Sequence, residues 1–232
     1  VLEADVLPAR LAEYRPADLA AGIAAGEVVW VGAGGLGATD GRIRLAFRDQ
    51  AGLLVPEPEP LADDAGPQQR AIVELLERRG ASFWPEIKQS VADAGVPYDD
   101  NEVLAALWDL VWAGLVTNDS LAPARSLSDR RRPATSNGQR TRGSAGRPRL
   151  SRLTRLGPPA GAGRWSLVEP LLAPRPSATE MAHAKASQLL ERYGVLTREA
   201  ALAESVEGGF AGVYPVLKAL EERGRVRRGV HP

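Results

Sequence analysis

Apolar positions recur at helical spacing in three places along the chain, and each time the run closes on a glycine. In the first, Pro16-Ala17-Asp18-Leu19 opens a helix ending near Gly26, with proline in the first turn, where its missing N–H leaves no bond unmade. In the second, Val103, Leu104, Leu107, Leu110 and Val111 share one face of a helix capped by Asn101 and closed by Gly114. In the third, Val213, Tyr214, Leu217 and Leu220 take the matching positions ahead of Gly224. After each glycine the pattern turns extended, over residues 27–31, 115–118 and 225–228. Each closing glycine should therefore end a helix, and a strand should follow within about three residues.

Two of these runs belong to a longer repeat. Leu75-Leu76-Glu77-Arg78-Arg79-Gly80 returns as Leu189-Leu190-Glu191-Arg192-Tyr193-Gly194, each the end of a helix. A second helix follows in both copies, opened by Ser82-Phe83-Trp84-Pro85-Glu86 in one and by Thr197-Arg198-Glu199-Ala200 in the other. The start of the chain carries only the back half of this plan. There a helix and strand lead through a Gly-rich turn, Gly32 to Gly41, into a second strand over 42–48 whose basic and apolar residues alternate. Three helices, the third running into a β-hairpin, make a winged helix.

The predicted fold is thus mainly helical α+β, a tandem of winged-helix units with short β-hairpin wings. A partial unit, third helix and wing, covers 1–61 and ends in the stiff run Pro56-Glu57-Pro58-Glu59-Pro60. A second unit covers 62–176, and a third covers 177–232 as a unit cut short after its basic strand. The middle unit lacks a second wing strand until residues 163–168, so 115–118 should pair antiparallel with 165–168 across a loop far longer than hairpins usually carry.

Charge changes this picture by giving that loop a purpose. The 29 basic and 29 acidic residues cancel in sum but not in place. Residues 1–124 hold 9 basic and 20 acidic side chains, 125–164 hold 11 and 1, and 165–232 hold 9 and 8. A stretch so polar and so uniformly charged cannot offset its ordering entropy, and residues 126–149 are expected to be disordered in the free protein. Its arginines would gain affinity for nucleic acid by releasing counterions from phosphate. The expected contacts are Arg130, Arg131, Arg132, Arg140, Arg142, Arg147, Arg149, Arg152, Arg155, Arg164, Trp165, Arg225, Arg227 and Arg228. The wing arginines should anchor phosphate irrespective of sequence, while Arg225, Arg227 and Arg228, on a strand after a third helix, should orient the ligand. Trp84, Trp108, Trp112 and Trp165 could each stack on unpaired bases, but burial is the expected role of all except Trp165, which Arg164 precedes at the base of the wing.

Other chemistry is excluded residue by residue. The chain has no cysteine, and its two histidines, His183 and His231, are too far apart for a local metal motif. No Gly-Lys pair exists, so no phosphate-cradling P-loop can form. The run Gly32-Ala33-Gly34-Gly35-Leu36-Gly37 is read as a wing turn because no helix pattern follows it. Asp63-Asp64 and Asp99-Asp100 sit in linkers or at helix starts, where acids favour the helix dipole. No catalytic residue, metal or cofactor is expected in this fragment. No run approaches the roughly 20 apolar residues of a membrane span and no secretory leader opens the chain, so no membrane partner and a cytoplasmic address are expected.

Several long motifs carry a family resemblance. Residues 153–168, reading Leu-Thr-Arg-Leu-Gly-Pro-Pro-Ala-Gly-Ala-Gly-Arg-Trp-Ser-Leu-Val, resemble the C-terminal region of the bacterial large helicase-related (Lhr) proteins. So do Leu107-Trp108-Asp109-Leu110-Val111-Trp112-Ala113-Gly114, Val116-Thr117-Asn118-Asp119 and Gly208-Gly209-Phe210-Ala211-Gly212-Val213-Tyr214-Pro215. The resemblance implies an ATP-dependent 3′-to-5′ DNA helicase as parent, with ATP and Mg in domains outside this chain, and with winged helices beside a barrel similar to a class of DNA glycosylases. It implies a nucleic-acid-binding accessory region, serving DNA repair near the nucleoid, that engages single-stranded or forked DNA, an RNA–DNA hybrid being a further candidate. The helicase core of the same parent chain would be its protein partner. Two alternatives remain open: a protein-interaction scaffold of winged helices, and part of a glycosylase-like module, for which no motif here supplies a catalytic group.

Overall fold

The computed structural model describes residues 2–37, 40–97, 99–129 and 157–229. After a π-turn at Leu2–Val6 come α1 (Pro16–Ala24), β1 (Val28–Gly35), β2 (Gly41–Phe47), α2 (Ala51–Leu54), α3 (Pro67–Arg79), β3 (Ser82–Phe83), α4 (Trp84–Asp93), α5 (Asp100–Trp112), β4 (Val116–Asn118) and α6 (Ala122–Asp129). Beyond them lie a 3-10 turn at Pro159–Gly161, β5 (Arg164–Leu167), α7 (Glu169–Leu172), α8 (Ala178–Tyr193), α9 (Arg198–Ala203) and α10 (Gly209–Glu222). By compactness the chain divides into two units, one of Val1–Asp49 with Glu57–Leu171, the other of Gln50–Pro56 with Leu172–Pro232.

The first unit is built on α3, α4 and α5. Their apolar faces meet in a core that includes Ile72, Leu76, Ile87, Val91, Val103, Leu107 and Val111, with Trp84 and Trp108 buried among them. Helix α5 starts one turn earlier than its apolar stripe suggests. Asp99, rather than the expected Asn101, is its cap: the carboxylate accepts from the N–H groups of Asn101 and Glu102 at 2.7 and 2.9 Å, while Glu102 accepts from the N–H of Asp99. Such a cap contributes about 1 kcal/mol.

Strands β4 and β5 pair antiparallel, Val116 opposite Leu167, Thr117 opposite Ser166 and Asn118 opposite Trp165. This is the hairpin predicted across the long loop. A third strand was not: Ser82 and Phe83 pair with Trp165 and Arg164, making a sheet of order β3-β5-β4. Strands β1 and β2 form the other hairpin, Val28 opposite Phe47 through Gly32 opposite Ile43. That hairpin is not a free wing, because Trp30 joins the core of α3, α4 and α5, and Gly32 lies so close to α5 that a Cβ there would stand 1.8 Å from the Val111 carbonyl oxygen.

In the second unit α8, α9 and α10 bury Ala186, Leu189, Ala201 and Val213. Helix α8 opens on Ser177, whose hydroxyl accepts from the N–H of Glu180, and α9 on Thr197, which accepts from Ala200. The expected closing glycines Gly26, Gly114 and Gly224 all have positive φ, at 74°, 78° and 69°. After the first two a strand begins at Val28 and Val116. After Gly224 the expected strand is absent among the described residues, because an extended run forms a strand only against a partner and none faces it there. Arg228 instead folds back, its N–H donating to Glu221 at 3.1 Å.

Candidate nucleic-acid interface

The arginine-rich block leaves and rejoins the first unit at anchored ends. Helix α6 leads into it, so residues 126–129, expected to be disordered, are helical. Leu127 belongs to the core. The chain returns at Gly157 over a seat of tryptophans: Cβ atoms at Gly157 and Gly161 would meet the Trp84 ring at 2.1 and 2.9 Å. The Trp108 indole donates to the Ala160 carbonyl at 3.0 Å and that of Trp165 to Gly161 at 2.9 Å. Asn118 fastens the hairpin mouth, its amide donating to the Ala162 carbonyl at 3.0 Å while its oxygen accepts from Ser120. Gly157 and Gly161 are thus the positions that let backbone approach the Trp84 indole, while a Cβ at Gly163 would meet the Asn118 side chain. Arg130, Arg131, Arg132, Arg140, Arg142, Arg147, Arg149, Arg152 and Arg155, with the rest of the expected disordered segment, lie outside the described residues.

Arg164 and Trp165 are described, and they part company. Trp165 is fully buried, with its ring edge-on to Trp108 at 5.7 Å between centroids, so it is a core residue and not the open stacking platform expected of it. Strand alternation explains this: with Arg164 turned outward, the next side chain must turn inward. Arg164 is exposed, and its guanidinium lies 5.8 Å from the centre of the Phe83 ring on the facing strand. Its main-chain N–H donates to the Asp119 carboxylate at 2.9 Å. Arg125, in the same basic block, is already committed. It donates twice to Glu3, at 2.7 and 2.6 Å, and holds that carboxyl below its usual range, with the Tyr14 hydroxyl adding a third bond.

Helix α5, the third helix of the middle repeat, cannot serve as a groove reader. Seven of its residues, from Val103 to Val111, are buried. Glu102, Ala105 and Asp109 occupy its exposed face. Phosphate would meet acidic groups there.

Helix α10 is different, since Val213 alone of its residues is fully buried. Tyr214 and Lys218 are exposed along it, and Arg225 and Arg227 are exposed just beyond, with no ion pair among the described residues. Arg228 is paired with Glu221 at 3.3 Å and donates to the Tyr214 hydroxyl at 3.0 Å. The sequence pattern points to Arg225, Arg227 and Arg228 but not to Tyr214, which falls on the apolar stripe of its helix, nor to Phe83, which falls in the run that opens α4. On β2, Arg42 and Arg44 are exposed as well.

No group of three or more His, Asp or Glu side chains is placed to hold a metal ion among the described residues. Nor is any described helix long and apolar enough to cross a membrane.

Two family profiles described as large helicase-related protein, winged-helix domain, match residues 1–48 and 175–231. The chain is 39% identical over 236 residues to the Mycolicibacterium smegmatis protein named "Lhr helicase/probable uracil glycosylase". It is 36% identical over 237 residues to the Escherichia coli K12 "Lhr helicase/uracil glycosylase". Both matches take in 98% of this chain, which spans about 15% of the length of either relative. Winged-helix matches at both ends, with relatives similar over 98% of the chain, place it in the large helicase-related family, as part of its C-terminal winged-helix region.

Proposed function

We propose that this region holds nucleic acid for the helicase motor of its parent chain, gripping phosphates through the arginine-rich wing of the first unit and the exposed arginines after α10. The pairing of β4 with β5 carries the reading. It sets Asp119 and Arg164 hand in hand although 45 residues separate them, so the basic block springs from a fixed hairpin rather than a loose linker. Cations fixed at both ends of an insertion can track a phosphate backbone without reading bases. Single-stranded or forked DNA is the proposed substrate, with ATP and Mg acting in the motor domains. The uracil glycosylase in the relatives' names supports DNA repair as the setting, inside the cell and near the nucleoid.

Three winged-helix units, bounded near 61 and 176 by the repeats, remain our division of the chain. The middle one doubles as scaffold: its third helix is spent on packing and its exposed face is acidic.

The test is the affinity of the whole chain for single-stranded, forked, duplex and RNA–DNA hybrid oligonucleotides over a salt series. The reading requires log K to fall linearly with log salt concentration on the preferred substrate. Absence of binding to all four at low salt would leave the scaffold role as the better account.

A further inference from the structure

Resting on that reading, we infer that Phe83 and Arg164 form a subsite for one unpaired nucleobase at the root of the arginine-rich wing. Phe83 is 50% exposed although it sits at the heart of the unit, between the end of α3 and the start of α4. A single exposed apolar residue is ordinary. Its surroundings are what set this one apart. Opposite residues on paired antiparallel strands point to the same face, so the Phe83–Arg164 pair brings ring and guanidinium out together. Ser166 continues that face, and beside it a cleft of about 200 Å³ opens, lined by Val28, Val29, Arg48, Asp119, Arg164 and Ser166.

Each part has a matching chemistry in a single strand. An aromatic face stacks on any base, and a guanidinium beside it can pair with the phosphate while staying near the ring. The neighbouring cleft offers polar and apolar walls to the adjoining nucleotide. A duplex cannot use the ring, because its bases are already stacked on each other, so the subsite distinguishes unpaired from paired nucleic acid where the surrounding arginines cannot. Trp165 fails this role for the reason that Phe83 meets it: one alternates inward and the other outward.

The experiment compares the full chain with Phe83→Leu and Phe83→Trp, titrated into a labelled thymidine 20-mer and a duplex of equal length at fixed low salt. Leucine keeps the apolar bulk on the strand and removes the π face. Phe83→Leu should weaken single-strand binding by roughly 10-fold and leave duplex binding within about twofold, while Phe83→Trp should retain or tighten the single-strand affinity. Single-strand binding by Phe83→Leu within twofold of the parent, with parent binding intact and salt-dependent, would overturn the subsite and leave the proposed function standing. Equal weakening on both ligands would also overturn it. Failure of the parent to bind any nucleic acid would overturn both.

Discussion

Replacing Gly32 with alanine should pry the first hairpin off α5. The new methyl carbon would lie 1.8 Å from the Val111 carbonyl oxygen, 2.7 Å from its carbonyl carbon and 3.1 Å from the Trp112 Cα. Both surfaces are backbone, so no rotamer change relieves the clash, and the hairpin must withdraw by roughly 1.5 Å before ordinary contact returns. Trp30, fully buried next to Gly32, would lose part of its packing, and the hydrogen bond from the Thr117 hydroxyl to the Trp30 carbonyl would stretch. Overpacking alone costs about 1–3 kcal/mol, and partial exposure of a buried indole brings the expected loss to about 3 kcal/mol. For a body of this size that lowers the melting temperature by roughly 6–12 °C. All five tryptophans, Trp30, Trp84, Trp108, Trp112 and Trp165, belong to the first unit, so tryptophan fluorescence in urea follows its unfolding without interference from the second. Gly35→Ala is the control, since a Cβ there meets nothing closer than 3.8 Å. A Gly32→Ala midpoint equivalent to within 0.5 kcal/mol of the parent, about the scatter of harmless surface changes, would refute the docked hairpin.

Three further outcomes follow from named contacts. The hydrogen bonds from Arg125 depress the Glu3 carboxyl, so the pair stabilises the fold above the ordinary carboxylate pKa of 4.5 and that contribution is lost as pH falls through the lower folded value. Glu3→Gln should therefore be about 1 kcal/mol less stable than the parent at pH 7, by urea denaturation, with the gap closing as pH falls below the ordinary carboxylate range; a gap that does not narrow on acidification would contradict the linkage. Arg225→Gln with Arg227→Gln should weaken binding alike for all sequences and flatten the salt slope by about one unit or more, at unchanged thermal stability, because both side chains are exposed. Leu127→Ala, measured by the same urea titration, should cost about 2–4 kcal/mol, a loss foreign to a disordered segment.

Much of the fold could be read from periodicity, and the parts that could not have physical reasons. Three closing glycines and the hairpin between β4 and β5 needed only local pattern and the shortage of other strand candidates. Strand β3 is two residues long, too short to show any period. The strand expected at 225–228 had the right alternation but no partner, and partnership is a tertiary property. Helix α6 was hidden because arginine and serine around Leu127 resemble the polar run that follows. The burial of α5 on every side but an acidic one depends on docking of the β1–β2 hairpin, which no local pattern encodes. Arg125 looked like its neighbours, yet its carboxylate lies 122 residues away in sequence. At the candidate interface, composition located the basic block, while the inward turn of Trp165 and the outward turn of Phe83 required the register of β3 on β5.

The central claim, that the arginine-rich wing grips phosphate, is tested most directly by deleting residues 130–149. This removes seven arginines and spares α6, whose Leu127 belongs to the core. Salt-dependent titration of the parent and the deleted chain against one single-stranded oligonucleotide gives two slopes of log K against log salt. Each arginine that neutralises a phosphate contributes about 0.7 to the slope on a single strand, so the account predicts a slope flatter by roughly 2–4, a large loss of affinity at low salt and unaltered urea unfolding. Equal affinity and an equal slope in the two chains would contradict it.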